Sequence, residues 1–536
     1  MEKILTAKID GRNMEDDFEI IDAILEARGI DDVGAFLRPS ESDMIPFEEM
    51  LELHEAYCFL EDAIGDGEKF LVLADVDADG CCSNAIITRY LRARGADVKC
   101  VINDGKKHGA EDFDLSLLDG IGTMIIVDSL NNDPRVYERI LNDANVDLMV
   151  LDHHILDDNF LNHHFRYFTL VSSANDYPND QLSGAGVCLK LVQYSDYMNL
   201  TDYVNELGLW VYAAIGLIAD MSDMSVPENR YIAYRGLAQF RNPVVQKMVG
   251  NYTFDSTSVS FSIAPLINSA MRMRENEKAM NVFLTDDLDE IDELVKDLKA
   301  CKERQNEVVS ELIEGLLEQG EAQLNRKCMF FMLENELEAE ITGLVANRLL
   351  SEFQRPLFVL RLKDGQYAGS MRAVGVESML EISNNTGLCV CQGHPLASGA
   401  FIKEDEFERF KEVIEDKLKD VEFSIKIEAD IELAPSQITD NLVKQLTAIN
   451  RISGTGFPAI KVLVRTNDYD VTTFSTKKHL KVIDDSGLLI VKWNTNEWQT
   501  MKNDKELVAV GVLSAPCYGR VKYLQLTIDE YIQQND

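Results

Sequence analysis

The chain is short of several things, and each shortage closes off a class of protein. No run of about 18 apolar residues occurs in its 536 residues, which excludes an ordinary membrane-spanning helix and predicts no membrane partner. Met1-Glu-Lys-Ile-Leu-Thr-Ala-Lys8 carries no signal-peptide pattern, so a cytoplasmic protein is expected. The ten cysteines are scattered: Cys81-Cys82 and Cys389-x-Cys391 are the close pairs, and no partner pair stands at zinc-ribbon spacing. Reduced, mostly buried thiols are expected. Cations are scarce too, with 52 Lys and Arg against 92 Asp and Glu. A net charge of −40 argues against casual nucleic-acid binding, because a phosphate backbone is repelled over most of such a surface. The shortage is uneven: from Arg451 to Asp536, 11 Lys and Arg against 10 Asp and Glu leave that end at +1 and the remainder at −41. A polyanion must therefore meet local basic patches and bound cations.

What is present centres on Phe70-Leu-Val-Leu-Ala-Asp-Val-Asp-Ala-Asp-Gly80. The apolar run reads as a buried strand, and Asp75, Asp77 and Asp79 follow on an acidic loop closed by Gly80, with a helix from Ser83 to Arg94. Three carboxylates so close repel one another unless a cation sits among them. An EF-hand is excluded, because its twelfth position, counted from Asp75, is Ile86 rather than Glu, and a strand precedes the loop. The strand–helix pattern then repeats. Val98–Ile102 is a second strand, Met124–Val127 a third ending in Asp128, and Leu148–Leu151 a fourth ending in Asp152-His153-His154. Such alternation implies a parallel sheet covered on both faces, with ligands gathering at the carboxyl ends of its strands. Three strands that each end in Asp, one with two histidines, point to a metal site. Asn205 to Ala219 reads as an apolar helix ending in Asp220, where the macrodipole disfavours a carboxylate unless a cation is near. Asp223 reads as a solvated neighbour.

Further on, residues 286–319 carry one long amphipathic pattern, read as a connector helix. Residues from about 320 to 425 hold a second α/β pattern, with Gly369-Ser-Met-Arg372 and Gln392-Gly-His-Pro-Leu-Ala-Ser-Gly399 suited to close approach of a phosphate. From about 430 the chain turns β-rich, and five short strands suit a small barrel of the OB type. Lys477, Lys478, His479, Lys481, Lys492, Trp493 and Trp498 interleave bases with aromatics there, as single-strand binders do.

With these residues in view, the chain resembles the DHH phosphoesterase superfamily, and within it the RecJ-type single-strand DNA exonucleases. Asp75-Val-Asp-Ala-Asp-Gly80, Val127-Asp128, Asp152-His-His154 and Gly216-Leu-Ile-Ala-Asp220 match the family's first four motifs in order. Ser183–Lys190, Glu228-Asn-Arg230 and Pro265-Leu-Ile-Asn268-Ser-Ala-Met-Arg272 fall where such chains carry similar words. Ile452–Pro458, Lys478–Lys481 and Leu524–Asp529 are similar to the RecJ OB-fold. Leu73, Met371, Gln392 and Leu337-Glu-Ala-Glu340 depart from the pattern.

The resemblance implies an α/β multidomain protein. Its parts would be an N-terminal helical segment (1–65), a DHH phosphoesterase domain (66–285), a connector helix (286–319), a DHH-associated domain (320–428) and an OB-fold-like nucleic-acid-binding domain (429–536). It implies two manganese ions, with magnesium as a substitute, clamping the oxygens of an in-line displacement. Asp77 would hold one ion, Asp79, His153 and Asp220 the other, and Asp128 would bridge them; Asp75 is a ligand or an acceptor behind one. His154 would contact phosphate and Asp152 would fix His153. Ser370, Arg372, His394, Asn268, Arg272 and Lys478 would bind nucleic acid. The implied activity is 5′ to 3′ hydrolysis of single-stranded DNA to mononucleotides in repair, recombination or replication, alongside single-strand-binding or replication proteins, with a narrow channel that excludes duplex. Two alternatives stay open: a phosphodiesterase for short oligonucleotides or cyclic dinucleotides, and a non-catalytic DNA-end-binding scaffold.

Overall fold

The first residues depart from expectation. Glu2–Asp10 is a strand, β1, rather than part of a helical segment. Leu5 and Ala7 alternate inward against Ile427 and Ala429, so a period of two wins locally over the acidic, helix-like composition around it. Helices do follow, at Asp17–Ala27 and Leu53–Gly65. This computed structural model describes residues 2–534 apart from 103–108, 162, 164, 334–340, 475–477, 504 and 519–520. The departure at 337–340 and the base Lys477 thus lie outside the described residues. The chain divides into two compact units: residues 30–303 with 448–459, and residues 1–29 with 304–447 and 460–536.

The first unit is built on a wholly parallel sheet. Its strands are β2 (Lys69–Ala74), β3 (Asp97–Ile102), β4 (Thr123–Val127), β5 (Asp147–Asp152) and β6 (Phe168–Ser172), in the order β3-β2-β4-β5-β6. Leu71, Leu73, Met124, Ile126, Leu148 and Val150 pack with Tyr137 and Phe160 on one face, and the intervening residues Phe70, Val72, Ile125 and Met149 are equally buried. Both faces are therefore dry, as the strand–helix alternation requires. Because β3 and β4 lie on opposite sides of β2, the topological switch point falls between β2 and β4, where an α/β sheet opens a crevice at its carboxyl edge. The helix after β2 starts at Ala78, not Ser83, so Asp79 and Gly80 sit inside its first turn. The apolar segment ending in Asp220 is two helices, Tyr203–Glu206 and Leu209–Ala219, parted at Gly208 with φ of 63°.

Residues 452–458, which resemble part of a C-terminal domain, pack within this first unit. The Arg230 guanidinium stacks 3.7 Å above the Phe36 ring and donates to Ile452 O at 3.1 Å, while Phe36 and Phe457 pack at 4.7 Å.

Helix Leu288–Glu321 leaves one unit and enters the other; its 34 residues extend about 51 Å. Ile291, Val295 and Leu298 are buried along its first half, and Val309 and Leu316 join the core of the second unit.

Among the described residues, that second unit holds two large sheets and one two-stranded pair. Strands β7 (Met329–Leu333), β8 (Leu357–Lys363), β9 (Gln366–Arg372), β10 (Val390–His394) and β11 (Ala397–Lys403) form the first, in the order β10-β11-β9-β8-β7, antiparallel except for β7 with β8. The other runs β1-β12-β13-β17-β20-β16-β15-β14, from β12 (Ser424–Leu433), β13 (Val462–Thr466), β14 (Tyr469–Thr473), β15 (Leu480–Asp484), β16 (Leu489–Lys492), β17 (Glu506–Ser514) and β20 (Gln525–Gln534). A small pair, β18 (Cys517–Tyr518) and β19 (Val521–Lys522), lies beside it in sequence. The five expected C-terminal strands are all present, and a bulge at Val510/Gly511 bends β17 against β20. Among the described residues, no helix is long and apolar enough to cross a membrane.

Candidate metal centre

The carboxyl ends of β2, β4 and β5 deliver their acids to one crevice. Asp75 directly follows β2 and is 6% exposed. Asp77 caps the next helix, its Oδ1 accepting from the Gly80 N–H at 2.9 Å. Asp79 is fully enclosed by the N-terminus of helix Gly184–Asn199: its Oδ2 accepts from the Gly184 N–H at 2.8 Å, and its Oδ1 from the Ala185 N–H and Ser183 Oγ, both at 3.1 Å. A carboxylate at a helix N-terminus is favourably placed in the dipole field.

Asp128 follows β4 in a left-handed conformation, φ 55°, and its N–H donates to Leu151 O. Its Oδ1 is buried with no hydrogen-bond partner among the described residues, 3.2 Å from His153 Nε2. The other ring nitrogen of His153, Nδ1, is 3.8 Å from Asp220 Oδ2. Two groups of donors result. Asp79, His153 and Asp220 each offer a ligand atom within 4.8 Å of the others, and so do Asp128, His153 and His154. The first is the trio that the family motifs assign to one ion. Asp77, assigned to the other, belongs to neither group.

Asp152 fixes the neighbouring histidine more than the expected one. Its Oδ1 accepts the backbone N–H of His153 at 2.7 Å, but the ring it holds is His154, through Nδ1 at 2.8 Å. Its Oδ2 accepts from the Leu130 N–H.

Burial and mutual repulsion perturb the carboxylates of this crevice. Burial, then Asp79 and Asp77, push the Asp128 pKa well above the usual carboxylate range. Burial, against partial relief from His153, pushes Asp79 up to about 6, and burial with Asp79 pushes Asp220 up to about 6. Burial raises Asp77 as well. Asp152 is opposite: burial would raise it, but the His154 hydrogen bond and charge bring it below the usual range. That same bond raises His154 to about 9.

The donor set fits divalent cations. Several buried carboxylates and a shared imidazole converge, one carboxylate oxygen has no hydrogen-bond partner among the described residues, and the walls are kept small. A Cβ on Gly184 would stand 2.7 Å from the Asp128 Cβ, and one on Gly216 would collide with Asp79 Oδ1. The sequence reading missed this wall. Its signal was Ser183-Gly-Ala-Gly186, a capping serine before small residues.

The phosphate candidates of the second unit share one sheet face. Register sets Arg372, Ala397 and His394 in one row, and Ser370, Gly399 and Gln392 in the next. Ala397 and Gly399 leave a shallow floor between the polar side chains. Arg372 Nε donates to Asn347 Oδ1 at 2.8 Å, and Ser370 Oγ meets Thr342 Oγ1 at 2.9 Å. His394 and Gln392 are exposed, whereas Met371 points into the core on the opposite face. In the first unit, Asn268 Oδ1 is buried without a hydrogen-bond partner among the described residues, and burial lowers the pKa of Arg272 one turn away. Lys478 is exposed beside β15. Leu73 is fully buried within β2.

Residues 69–215 match the DHH family, N-terminal domain, and residues 325–420 match the DHHA1 domain. YorK, a prophage-derived protein of Bacillus subtilis (strain 168) named as a single-strand DNA-specific exonuclease, is 27% identical over 80% of this chain and 80% of its own. RecJ of the same organism, a single-stranded-DNA-specific exonuclease, is 26% identical over 95% of this chain and 67% of its own. RecJ from Thermus thermophilus, solved in complex with Mn2+, shares the fold with a TM-score of 0.77, at 24% identity over 99% of this chain and 80% of its own. The chain carries one segment that matches the DHH family, N-terminal domain, and another that matches the DHHA1 domain, and RecJ single-strand DNA exonucleases are among its homologues.

Proposed function

We propose that this protein is a divalent-metal-dependent exonuclease that hydrolyses single-stranded DNA from the 5′ end to mononucleotides. The observation that carries the reading is the pair of donor groups, Asp79/His153/Asp220 and Asp128/His153/His154, drawn together from the segments after β2, β4 and β5 and from the end of helix Leu209–Ala219. Mixed carboxylate and imidazole donors suit manganese, the ion held by the Thermus relative, and magnesium satisfies the oxygens. Bound there, such ions supply charge neutralisation and Lewis acidity at the scissile phosphate.

The protein's own groups do the rest. Asp79 is oriented by Ser183, Gly184 and Ala185 before any ligand arrives. His153 presents one ring nitrogen to Asp128 and the other towards Asp220. Asp152 accepts a hydrogen bond from Nδ1 of His154 and orients the ring, so that its other nitrogen can serve the second donor group or meet a phosphate oxygen. Ser370, Arg372 and His394 would hold the phosphates near the entering end, with Asn268, Arg272 and Lys478 as further contacts. Such an activity would serve DNA repair, recombination or replication, with single-strand-binding or replication proteins as partners.

The net charge of −40 favours a second reading, a phosphodiesterase for short oligonucleotides or cyclic dinucleotides. One digestion series separates them. Labelled single strands, duplex and cyclic dinucleotide are incubated with manganese and with chelator. Processive loss of the single strand from its 5′ end, only with metal, is expected; turnover of the cyclic dinucleotide alone would replace the nuclease reading.

A further inference from the structure

The Cys389-x-Cys391 pair has no part in the site above, yet its two sulfurs meet. Cys389 Sγ lies 3.5 Å from Cys391 Sγ, and each residue is about 5% exposed. Alternate residues of an extended chain point to one face, here the core that also contains Cys328, Met371 and Phe410. Gln392 and His394 project from the other face of the same strand. The sulfurs thus lie directly behind the row of phosphate candidates.

Three features make this pair different from the other buried thiols. Through its hydrogen bond, Cys389 holds the Cys391 thiol below the ordinary range, against the upward push of burial. Burial instead pushes Cys81, Cys82, Cys188 and Cys328 well above the ordinary range. Second, β10 is the edge strand of its sheet, so opening it breaks one ladder only. The outer side of Cys391 is held by the Asn384 side chain, which accepts from its N–H at 2.6 Å and donates to its carbonyl at 3.0 Å. Third, Cys389 precedes β10, which starts at Val390, so the backbone on that side is not fixed by the ladder. Extended residues two apart are separated by about 6.6 Å between Cα atoms, near the upper end of the range a disulfide spans.

We propose that Cys389 and Cys391 are an oxidation site that closes into a reversible intrachain disulfide on reaction with hydrogen peroxide. The Cys391 thiolate attacks the peroxide oxygen, the O–O bond breaks, and sulfenic acid forms as the departing hydroxide takes a proton to leave as water. Cys389 then attacks that sulfur; the S–S bond forms, the S–O bond breaks, and its oxygen leaves as a second water carrying the Cys389 proton. Two thiols lose two electrons and two protons, and one peroxide becomes two waters. A small thiol reductant reverses the change. Closure draws Cys389 towards Cys391 and bends the start of β10, moving the strand that bears Gln392 and His394. That effect on substrate grip rests on the proposed function; the disulfide does not.

The test uses the full-length reduced protein, treated with hydrogen peroxide, denatured, alkylated with N-ethylmaleimide and digested. The expected result is a peptide spanning both cysteines that loses both labels, is two hydrogens lighter, and regains the labels after reduction, while Cys328 stays labelled. In Cys389→Ser, Cys391 should accumulate a dimedone-reactive sulfenic acid that the parent does not retain. Full labelling of both cysteines at peroxide levels that oxidise the exposed Cys58 and Cys517 would overturn the proposal, as would pairing with another chain. Nuclease rates are read on the same samples. A disulfide in a protein without nuclease activity refutes the nuclease reading and leaves the oxidation site standing; an active protein without the disulfide does the reverse.

Discussion

Gly184 donates its backbone N–H to Asp79 Oδ2 at 2.8 Å, joining the first turn of one helix to the acid after β2. The same carboxylate is flanked by Gly216, where a side chain would collide with Asp79 Oδ1 and stand 2.7 Å from the Ala185 Cβ. Asp79 is thereby held from both sides without any charged partner on these walls. A carboxylate positioned by backbone groups and walled by glycines is a group prepared for a ligand, not for a salt bridge.

Gly216→Ala is therefore expected to weaken metal binding without removing any ligand. Manganese affinity should fall by about 10–100-fold, the range seen when groups that orient ligands are disturbed. Isothermal titration, together with the activity at saturating manganese, checks this. An unchanged affinity would show that Asp79 can shift at no cost.

Asp128→Asn should separate chemistry from stability. Hydrolysis is expected to drop to background, and the same holds for His153→Ala. The metal-free Asp128→Asn protein should melt higher than the parent, because a buried carboxylate repelled by Asp79 and Asp77 is gone. Added manganese should raise the parent's melting temperature and do much less for the variant. Thermal scans with manganese and with chelator read both effects, and full hydrolysis by either variant would refute the metal assignment.

Arg372→Ala removes a guanidinium held by Asn347 on the open sheet face. A charge-assisted contact to phosphate contributes about 1.5–3 kcal/mol, so single-strand affinity should fall by roughly 10–150-fold. Slow cleavage of short oligomers should persist. Fluorescence anisotropy with a 5′-phosphorylated strand, in chelator, measures the affinity apart from cleavage. Unchanged binding would remove Arg372 from the phosphate row.

Lys190→Met addresses the scaffold behind the centre. Lys190 Nζ lies 2.7 Å from Glu228 Oε1, both side chains are 1% exposed, and Tyr177 and Asn179 also donate to Glu228. Removing the cation leaves a buried carboxylate, at a cost of about 3–5 kcal/mol. Urea unfolding should show that loss, and the double variant Lys190→Met/Glu228→Gln should recover part of it.

Much of the centre could be read directly from the chain. Asp75, Asp77, Asp79, Asp128 and Asp152 follow short apolar runs, and a parallel strand buried on both faces must place whatever follows it at the sheet's carboxyl edge. The same rule covers His153, one residue past β5, whereas Asp220, at a helix end, came from the dipole argument and the ligand set from the family resemblance; the long helix and the C-terminal strands were legible from their periodicity. Tertiary structure decided what periodicity cannot encode. It made Glu2–Asp10 a strand by pairing it with Ser424–Leu433, a partner no local pattern identifies. It seated 452–458 in the parallel-sheet unit through Arg230, and it turned the Asp152 carboxylate to the His154 ring rather than that of His153. It also set Gly184 and Gly216 against Asp128 and Asp79, and Cys389 against Cys391. The amino-acid sequence determines which groups a strand end carries, because strand and acid are neighbours in the chain. Which oxygen faces which nitrogen depends on contacts between segments far apart in the chain, and those exist only once the sheet has closed.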